Sequence, residues 1–194
     1  MSRRLLDRIG PVFRWSDAHA AGLSDPVLYG LLEEGRIERV SHGLYRVAEV
    51  EIPDLDLVVI AAANDRATLC LTSALARHDL TDQIPSRIDI ALPRGTRQPK
   101  ISAPVRWHQF ATATFDLGRE VVELEGGFWI GLYSAERSII DAYRLRHLQG
   151  DELGREALKT WLRRRGSQPS RLLEVTTSFP KVQGRLREDL RVLL

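Results

Sequence analysis

Residues 22–47 read GLSDPVLYGLLEEGRIERVSHGLYRV, and this stretch decides the fold of the N-terminal part of the chain. Ser24 is a suitable N-cap, and Pro26 fits the first turn of a helix, where a missing N–H costs little. Three leucines at helical spacing give that helix an apolar stripe: Leu28, Leu31 and Leu32. Gly35 ends the helix, and two short alternating segments then flank Ser-His-Gly. This layout predicts the recognition helix and wing of a winged helix-turn-helix, a module that usually grips DNA.

The sequence upstream of this stretch predicts two more helices. The first is RRLLDRIGP, which stops at Gly10-Pro11, and the second is WSDAHAAG, with Ser16 as N-cap and Gly22 as its end. Helix, helix, three-residue turn, helix and hairpin therefore fit residues 3 to about 48. We assign residues 1–48 to a winged helix-turn-helix domain.

The predicted recognition helix has an unusual charge for a DNA reader. Its exposed positions include Asp25, Glu33 and Glu34, together with Tyr29, and no lysine or arginine. Bringing carboxylates close to phosphates costs free energy, and bidentate base reading by arginine is unavailable on this helix. Sequence readout by this helix should therefore be weak.

The wing is the better candidate for DNA contact. Its basic side chains lie within eleven residues: Arg36, Arg39, His42 and Arg46. Arg3 and Arg4 near the N-terminus would add phosphate contacts. The alternative is a solvated hairpin in which Glu38 neutralises part of this charge.

Residues 51–194 predict a second domain with mixed secondary structure. EIPDLD is a linker, LDLVVIAAAN and ATLCLTSALARHDL predict buried helices, and SRIDIAL and APVRWHQF predict strands. REVVELEGGFWIGLYS predicts a hairpin that turns at Gly126-Gly127. From Ser134 onward the pattern is helical. The fold class is α+β: an N-terminal winged helix-turn-helix followed by a small mixed α/β domain with a helical C-terminal tail.

Composition limits the class of protein. The chain has 194 residues, of which 43% are apolar and 28% charged, enough for a buried core. No apolar run reaches the ~20 residues of a membrane span, and the N-terminus lacks the pattern of a signal peptide, so we expect a cytoplasmic protein. The single cysteine, Cys70, lies in an apolar run and is expected to be a buried thiol. The net charge of +2 is uneven, because residues 1–50 are neutral and residues 151–194 hold ten basic and six acidic side chains.

Several stretches, in this order, resemble the AbiEi antitoxins of bacterial toxin–antitoxin pairs. They are the quoted residues 22–47, then LTSALARHDL, IDIALPRGTRQP, VRWHQF, GFWIGLYSAERSIIDAYRLRHL, ALKTWLRRRGSQPSRLLE and GRLREDL. The resemblance implies an N-terminal winged helix and a C-terminal antitoxin domain, here residues 51–194. It implies a nucleotidyltransferase-like toxin as partner and, in many members, repression of the protein's own operon. Relatives generally carry several arginines on the recognition helix, which this chain lacks.

Two basic segments are candidates for contact with such a partner. The loop PRGTRQPK carries Arg94, Arg97 and Lys100, and its alternative role is a plain connector between strands. The segment LRRRG carries Arg163, Arg164 and Arg165 at the end of a predicted helix. Cations at that position interact favourably with the helix dipole by ~0.3–1 kcal/mol each, so a purely structural role is the alternative there.

The sequence contains no coherent catalytic or metal-binding constellation. The five histidines lack metal-ligand spacing, and no phosphate-binding glycine loop or nucleophile elbow occurs. The acidic positions 116–125 lack the lysine that a metal nuclease would place after its last carboxylate. We therefore expect a protein that is not an enzyme and needs no cofactor. Two alternatives stay open, a stand-alone winged-helix regulator and, third, a small nuclease with a divergent site.

Overall fold

The computed structural model describes Leu6 and residues 8–194, except for the side chain of Gln149. Up to residue 65 these form strands β1 (Val12–Arg14), β2 (Ile37–Ser41) and β3 (Leu44–Val47) and helices α1 (Trp15–Ala20), α2 (Asp25–Glu33) and α3 (Leu55–Ala63). The following strands are β4 (Thr68–Leu69), β5 (Ile88–Pro93), β6 (Val105–Phe110), β7 (Arg119–Leu124) and β8 (Phe128–Tyr133). The following helices are α4 (Leu71–Arg77), α5 (Thr112–Phe115), α6 (Ala135–Arg144), α7 (Arg146–Gln149), α8 (Asp151–Leu162), α9 (Pro169–Thr176) and α10 (Pro180–Leu193). The fold class is α+β, as the sequence predicts.

The chain forms two compact units that do not follow a single cut in the sequence. The first unit comprises residues 1–65 together with 99–103 and 122–130, and the second comprises 66–98, 104–121 and 131–194. Parts of the predicted second domain, including α3 and the turn of the β7–β8 hairpin, are thus grouped with the first unit. The functional division into residues 1–48 and 51–194 stays a prediction.

The first unit contains helices and a three-stranded sheet in the chain order that a winged helix predicts. Its three-stranded antiparallel sheet has the order β1-β3-β2, and β2 and β3 form the predicted wing hairpin. The helices and this sheet enclose one apolar core that includes Phe13, Leu28, Leu31, Ile37 and Tyr45. Burial of this apolar surface is the main force holding the module together. Strand β1 was not predicted, because three residues are too few to show a strand period.

Two predicted helix starts in this unit differ in detail from the structure. Helix α1 begins at Trp15 with Arg14 as its N-cap, so the prediction of Ser16 as N-cap is wrong. The backbone N–H of Arg14 donates to the Asp17 carboxylate at 2.8 Å, which satisfies a donor at the helix start in place of a serine cap. Ser24 is the N-cap of α2 as predicted, but its hydroxyl accepts no hydrogen bond from the helix.

The second unit is built on a five-stranded mixed sheet with the order β6-β5-β4-β8-β7. Strands β5 and β6 run parallel, β4 and β5 antiparallel, and β4 and β8 parallel. The prediction of one continuous helix over ATLCLTSALARHDL is wrong, because Thr68 and Leu69 form the strand β4 and the helix α4 begins at Leu71. A short apolar run cannot be assigned to strand or helix by its period alone.

The helical tail packs around α6 in the second unit. Helices α4, α8, α9 and α10 all contact α6. Their apolar faces meet in one buried cluster that includes Ile139, Leu158, Trp161, Leu172 and Leu186. The tail is therefore part of the core of this unit, and its amphipathic pattern reflects that packing.

Candidate functional site

The exposed face of the recognition helix α2 is apolar and acidic. Tyr29 and Val27 are 60% and 41% exposed, and Asp25, Glu33 and Glu34 are also exposed. Helix α2 contains no lysine or arginine, so no basic side chain of this helix accompanies them. The surface that would enter the major groove therefore offers a phenol hydroxyl and carboxylates, and none of the guanidinium groups that read guanine.

Asp25, at the first position of α2, has a structural role. Its Oδ1 atom accepts from Trp15 Nε1 at 2.9 Å and lies 3.1 Å from His19 Nε2. The other ring nitrogen of His19, Nδ1, lies 2.7 Å from the carbonyl oxygen of Leu23. These contacts join the start of α2 to α1.

The basic side chains of the wing are not equally available to phosphates. Arg46 donates to the Glu38 carboxylate through Nε at 2.8 Å and Nη2 at 2.6 Å. Arg36 Nη1 lies 3.8 Å from Glu34 Oε2, a looser contact. The partial neutralisation by Glu38 that the sequence left as an alternative is thus present at Arg46.

Arg39 is the available guanidinium of the wing. Its side chain is exposed, with Nε donating to the Ser41 carbonyl oxygen at 3.3 Å and Nη2 lying 3.0 Å from His42 Nδ1. No carboxylate of the described residues pairs with it. Arg39 and the exposed His42 therefore form the basic tip of the hairpin. Arg3 and Arg4 lie outside the described residues.

Residues 2–48 match the family model described as "Transcriptional regulator, AbiEi antitoxin". The similarity to the AbiEi antitoxins is thus confined to this N-terminal part of the chain. The match covers the winged helix and about a quarter of the chain, so the resemblance of the later stretches stays a prediction. A search of curated proteins finds no match.

The predicted partner loop around residues 93–100 is held at its base. The backbone N–H of Gly95 donates to Gln109 Oε1 and Gln109 Nε2 donates to the Thr96 carbonyl oxygen, both at 2.9 Å. The side chains of Arg94 and Arg97 are exposed in the second unit. Lys100 is also exposed, but it lies in the segment grouped with the first unit, so the structure describes these cations in two separate units.

The arginine cluster after α8 divides into one structural and two free side chains. Arg164 Nη2 donates to the carbonyl oxygen of Asp79 at 2.6 Å, which ties the end of α8 to the end of α4. Arg163 and Arg165 are exposed, and no carboxylate among the described residues pairs with them. Arg163 and Arg165 are therefore the members of this cluster available to a partner.

The sequence analysis missed a buried ionic cluster in the second unit. Arg137 and Asp141 are both fully buried, with Arg137 Nε donating to Asp141 Oδ2 at 2.9 Å. Arg137 Nη1 also donates to the carbonyl oxygens of Thr114 and Leu117, and Arg144 Nη2 lies 2.9 Å from Asp141 Oδ1. Burial raises the pKa of the Asp141 carboxyl, while the two arginines act in the opposite direction.

A second buried polar pair lies on strands β5 and β6. His108 Nε2 is 2.9 Å from Asp89 Oδ1, and both side chains are buried. Asp89 Oδ2 is buried without a hydrogen-bond partner among the described residues. Cys70, next to this sheet, is fully buried, and burial raises the pKa of its thiol well above the ordinary value, with Asp89 and Asp141 adding to the shift.

The described residues include no group of three or more His, Cys, Asp or Glu side chains placed to hold a metal ion. Within the same part of the chain, every helix is too short or too polar to cross a membrane.

Proposed function

We propose that this protein is an antitoxin that neutralises a nucleotidyltransferase-like toxin through residues 51–194, and that its winged helix binds operator DNA through the wing. The observation that carries the proposal is the family match over residues 2–48, a range that includes helices α1 and α2 and the three-stranded sheet. The helical core of the second unit supports a separate role for the rest of the chain, because a DNA-binding module alone does not need it.

Binding to DNA is proposed to be mainly electrostatic. Arg39 and His42 at the wing tip meet the phosphate backbone, while the acidic and apolar face of α2 contributes little base readout. Affinity should then be modest and fall steeply with salt, because each neutralised phosphate releases counterions. Autorepression by this protein would depend on the wing and on the concentration of the protein.

Contact with the toxin is proposed to use free cations of the second unit. Arg163 and Arg165 are exposed and unpaired among the described residues, and Arg94 and Arg97 are exposed on a loop held by Gln109. Exposed guanidinium groups can pair with an acidic surface of a partner. Because the loop is already held by Gln109, less conformational entropy is lost when it binds.

The test is co-purification of the tagged full-length chain with the product of the adjacent nucleotidyltransferase-like gene, combined with rescue of growth when that gene is expressed. We expect a stable complex and rescue by the wild type and by Arg39→Ala, since the wing is assigned to DNA. Arg163→Glu with Arg165→Glu should weaken both complex and rescue, while Arg171→Glu, another exposed arginine of the tail, serves as the control. If the wild type forms no complex with the toxin and does not rescue growth, the proposal is contradicted.

A stand-alone transcriptional regulator is the second candidate, because the family match is confined to the winged helix. A neighbourhood without any nucleotidyltransferase-like gene, together with binding of the protein to its own promoter, would favour it.

A further inference from the structure

A cleft of about 280 Å³ opens in the second unit where the end of α6, α7 and the start of α10 meet. Its lining is mostly basic: Tyr143, Arg144, Arg146, His147, Lys181 and Val182. Four of these six residues carry a basic side chain, and none carries a carboxylate. This composition is unlike a gap between packed helices, which apolar side chains would line.

The carboxylates near this cleft leave an excess of positive charge. Asp141 is shared by Arg137 and Arg144, and Asp151 is shared by Arg146 at 3.3 Å and Arg185 at 3.5 Å. Each carboxylate can offset only one of its two arginines.

Lys181 adds a further charge, because no acidic partner contacts it among the described residues. With His147 neutral, the group of arginines, carboxylates and Lys181 around the cleft carries about three uncompensated positive charges. A cluster of that sign in a concave site attracts anions.

Arg144 is held in place before any ligand arrives. Its guanidinium lies 4.5 Å from the ring centre of Phe110 and 5.4 Å from that of Phe179, which fixes its orientation by cation–π contact. Its Nη2 atom lies 2.9 Å from Asp141 Oδ1, its Nε atom is buried without a hydrogen-bond partner among the described residues, and the side chain is 25% exposed. Arg144 is therefore a positioned cation with part of its side chain exposed to solvent.

The start of α10 adds the positive end of a helix dipole on the same side of the cleft, while Pro180 has no N–H and the Val182 N–H donates to the Phe179 carbonyl oxygen at 3.0 Å. Lys181 is the second residue of this 14-residue helix, after Pro180. The first N–H groups of a helix have no intrahelical acceptor, and the helix dipole places partial positive charge at this end. Anions bind readily at such helix starts.

We propose that this cleft binds a phosphate group. The residues that line it bring a guanidinium from α6, a guanidinium and an imidazole from α7, and an ammonium from α10 to one cleft. A terminal phosphate offers three oxygens and up to two negative charges, whereas a carboxylate has two oxygens and one charge, and a backbone phosphodiester repeats its single charge along the strand. The proposal does not depend on the antitoxin role. The phosphate can belong to a nucleic-acid backbone or to a free phosphate compound.

The experiment titrates the full-length chain with inorganic pyrophosphate by calorimetry, in phosphate-free buffer at constant ionic strength. Lys181→Ala is compared with Lys159→Ala, which removes a half-exposed lysine whose charged partner among the described residues is Glu156 at 3.7 Å. We expect the wild type and Lys159→Ala to bind equally. We expect Lys181→Ala to bind at least about tenfold more weakly, because a charged hydrogen bond is lost. Arg146→Gln should act in the same direction as Lys181→Ala, and unchanged circular dichroism spectra will show that each variant is folded.

A short single-stranded oligonucleotide distinguishes the two sources of phosphate. If the source is nucleic acid, Lys181→Ala weakens oligonucleotide binding and pyrophosphate competes with it. If the source is a free phosphate compound, oligonucleotide binding is unchanged in Lys181→Ala while pyrophosphate binding is lost. Absence of pyrophosphate binding to the wild type, or equal weakening by Lys181→Ala and Lys159→Ala, would overturn the proposal.

Discussion

Arg39→Ala should weaken DNA binding more than Arg46→Ala, although both arginines lie on the wing. The reason is the ion pair at 2.6–2.8 Å between Arg46 and Glu38, whose side chains are 25% and 51% exposed. To reach a phosphate, Arg46 must first leave this pair, which costs about 0.2–1 kcal/mol for an exposed contact. Arg39 has no carboxylate to leave among the described residues, so its contact with phosphate forms at full strength.

The salt dependence of DNA binding gives the expected size of the effect of each substitution. Each phosphate contact contributes about −0.9 to the slope of log K against log salt, so Arg39→Ala should make the slope shallower by about 0.9. Between about 50 and 200 mM salt, one such contact changes affinity roughly 3.5-fold. Arg46→Ala should shift the slope by less than half as much. Glu38→Gln releases Arg46 and should make the slope steeper, by up to about 0.9.

Fluorescence anisotropy with a labelled promoter duplex, over a series of salt concentrations, measures these slopes. Glu49→Gln is the matched control for Glu38→Gln, because it removes one exposed acidic charge from the same unit without releasing an arginine. Equal slopes for Arg39→Ala and Arg46→Ala, with no effect of Glu38→Gln beyond that of Glu49→Gln, would refute the reasoning. Salt-tolerant binding that is lost in Tyr29→Ala would show instead that α2 reads bases.

Three further predictions concern the folded chain. Arg137→Met should lower the free energy of unfolding by about 3–5 kcal/mol in urea melts, because the buried Asp141 carboxylate loses its closest positive partner. Adding Asp141→Leu to Arg137→Met should recover much of this loss. Purely additive effects of the two substitutions would contradict this coupling. Cys70 should stay unreactive toward Ellman's reagent at about pH 8 and react after denaturation, since its thiol is fully buried and its pKa is raised; prompt reaction of the native protein would contradict its burial. Gly126→Ala should lower the melting temperature more than Gly127→Ala, because both residues have positive φ but only the added Cβ of Gly126 meets the Val12 carbonyl oxygen; equal losses would show that the neighbours adjust.

The winged helix could be predicted from sequence because its signals are local. Pro26 within the first turn of α2, Gly35 at its end and the alternation around the wing all act within a few residues. Strands β1 and β4 could not be predicted, since they have three and two residues and are defined by their neighbours in the sheet. Thr68 and Leu69 pair with β5 and β8, which lie about 20 and 60 residues further along the chain.

The buried ionic cluster was hidden for a related reason. Arg137 and Asp141 are four residues apart, a spacing that on most helices indicates an exposed ion pair. Their burial depends on Phe110, Tyr133 and Phe179, whose rings lie 4.3–5.7 Å from the Arg137 guanidinium and come from separate parts of the chain. Local spacing therefore indicates the pair, and only the tertiary packing decides its exposure.

The structure shows that one acidic residue of α2, Asp25, also has a structural role. In helix-turn-helix proteins the N-terminal residues of the recognition helix approach the bases, and here that position is Asp25. Its carboxylate accepts from Trp15 and contacts His19, so replacing it with a neutral side chain would loosen the junction of α1 and α2 as well as remove a charge. The weak DNA contact that we predict for this helix is thus tied, through Asp25, to the stability of the module. A substitution at the Glu38–Arg46 pair of the wing should strengthen DNA binding more easily, because this exposed ion pair contributes little to the folding stability of the module.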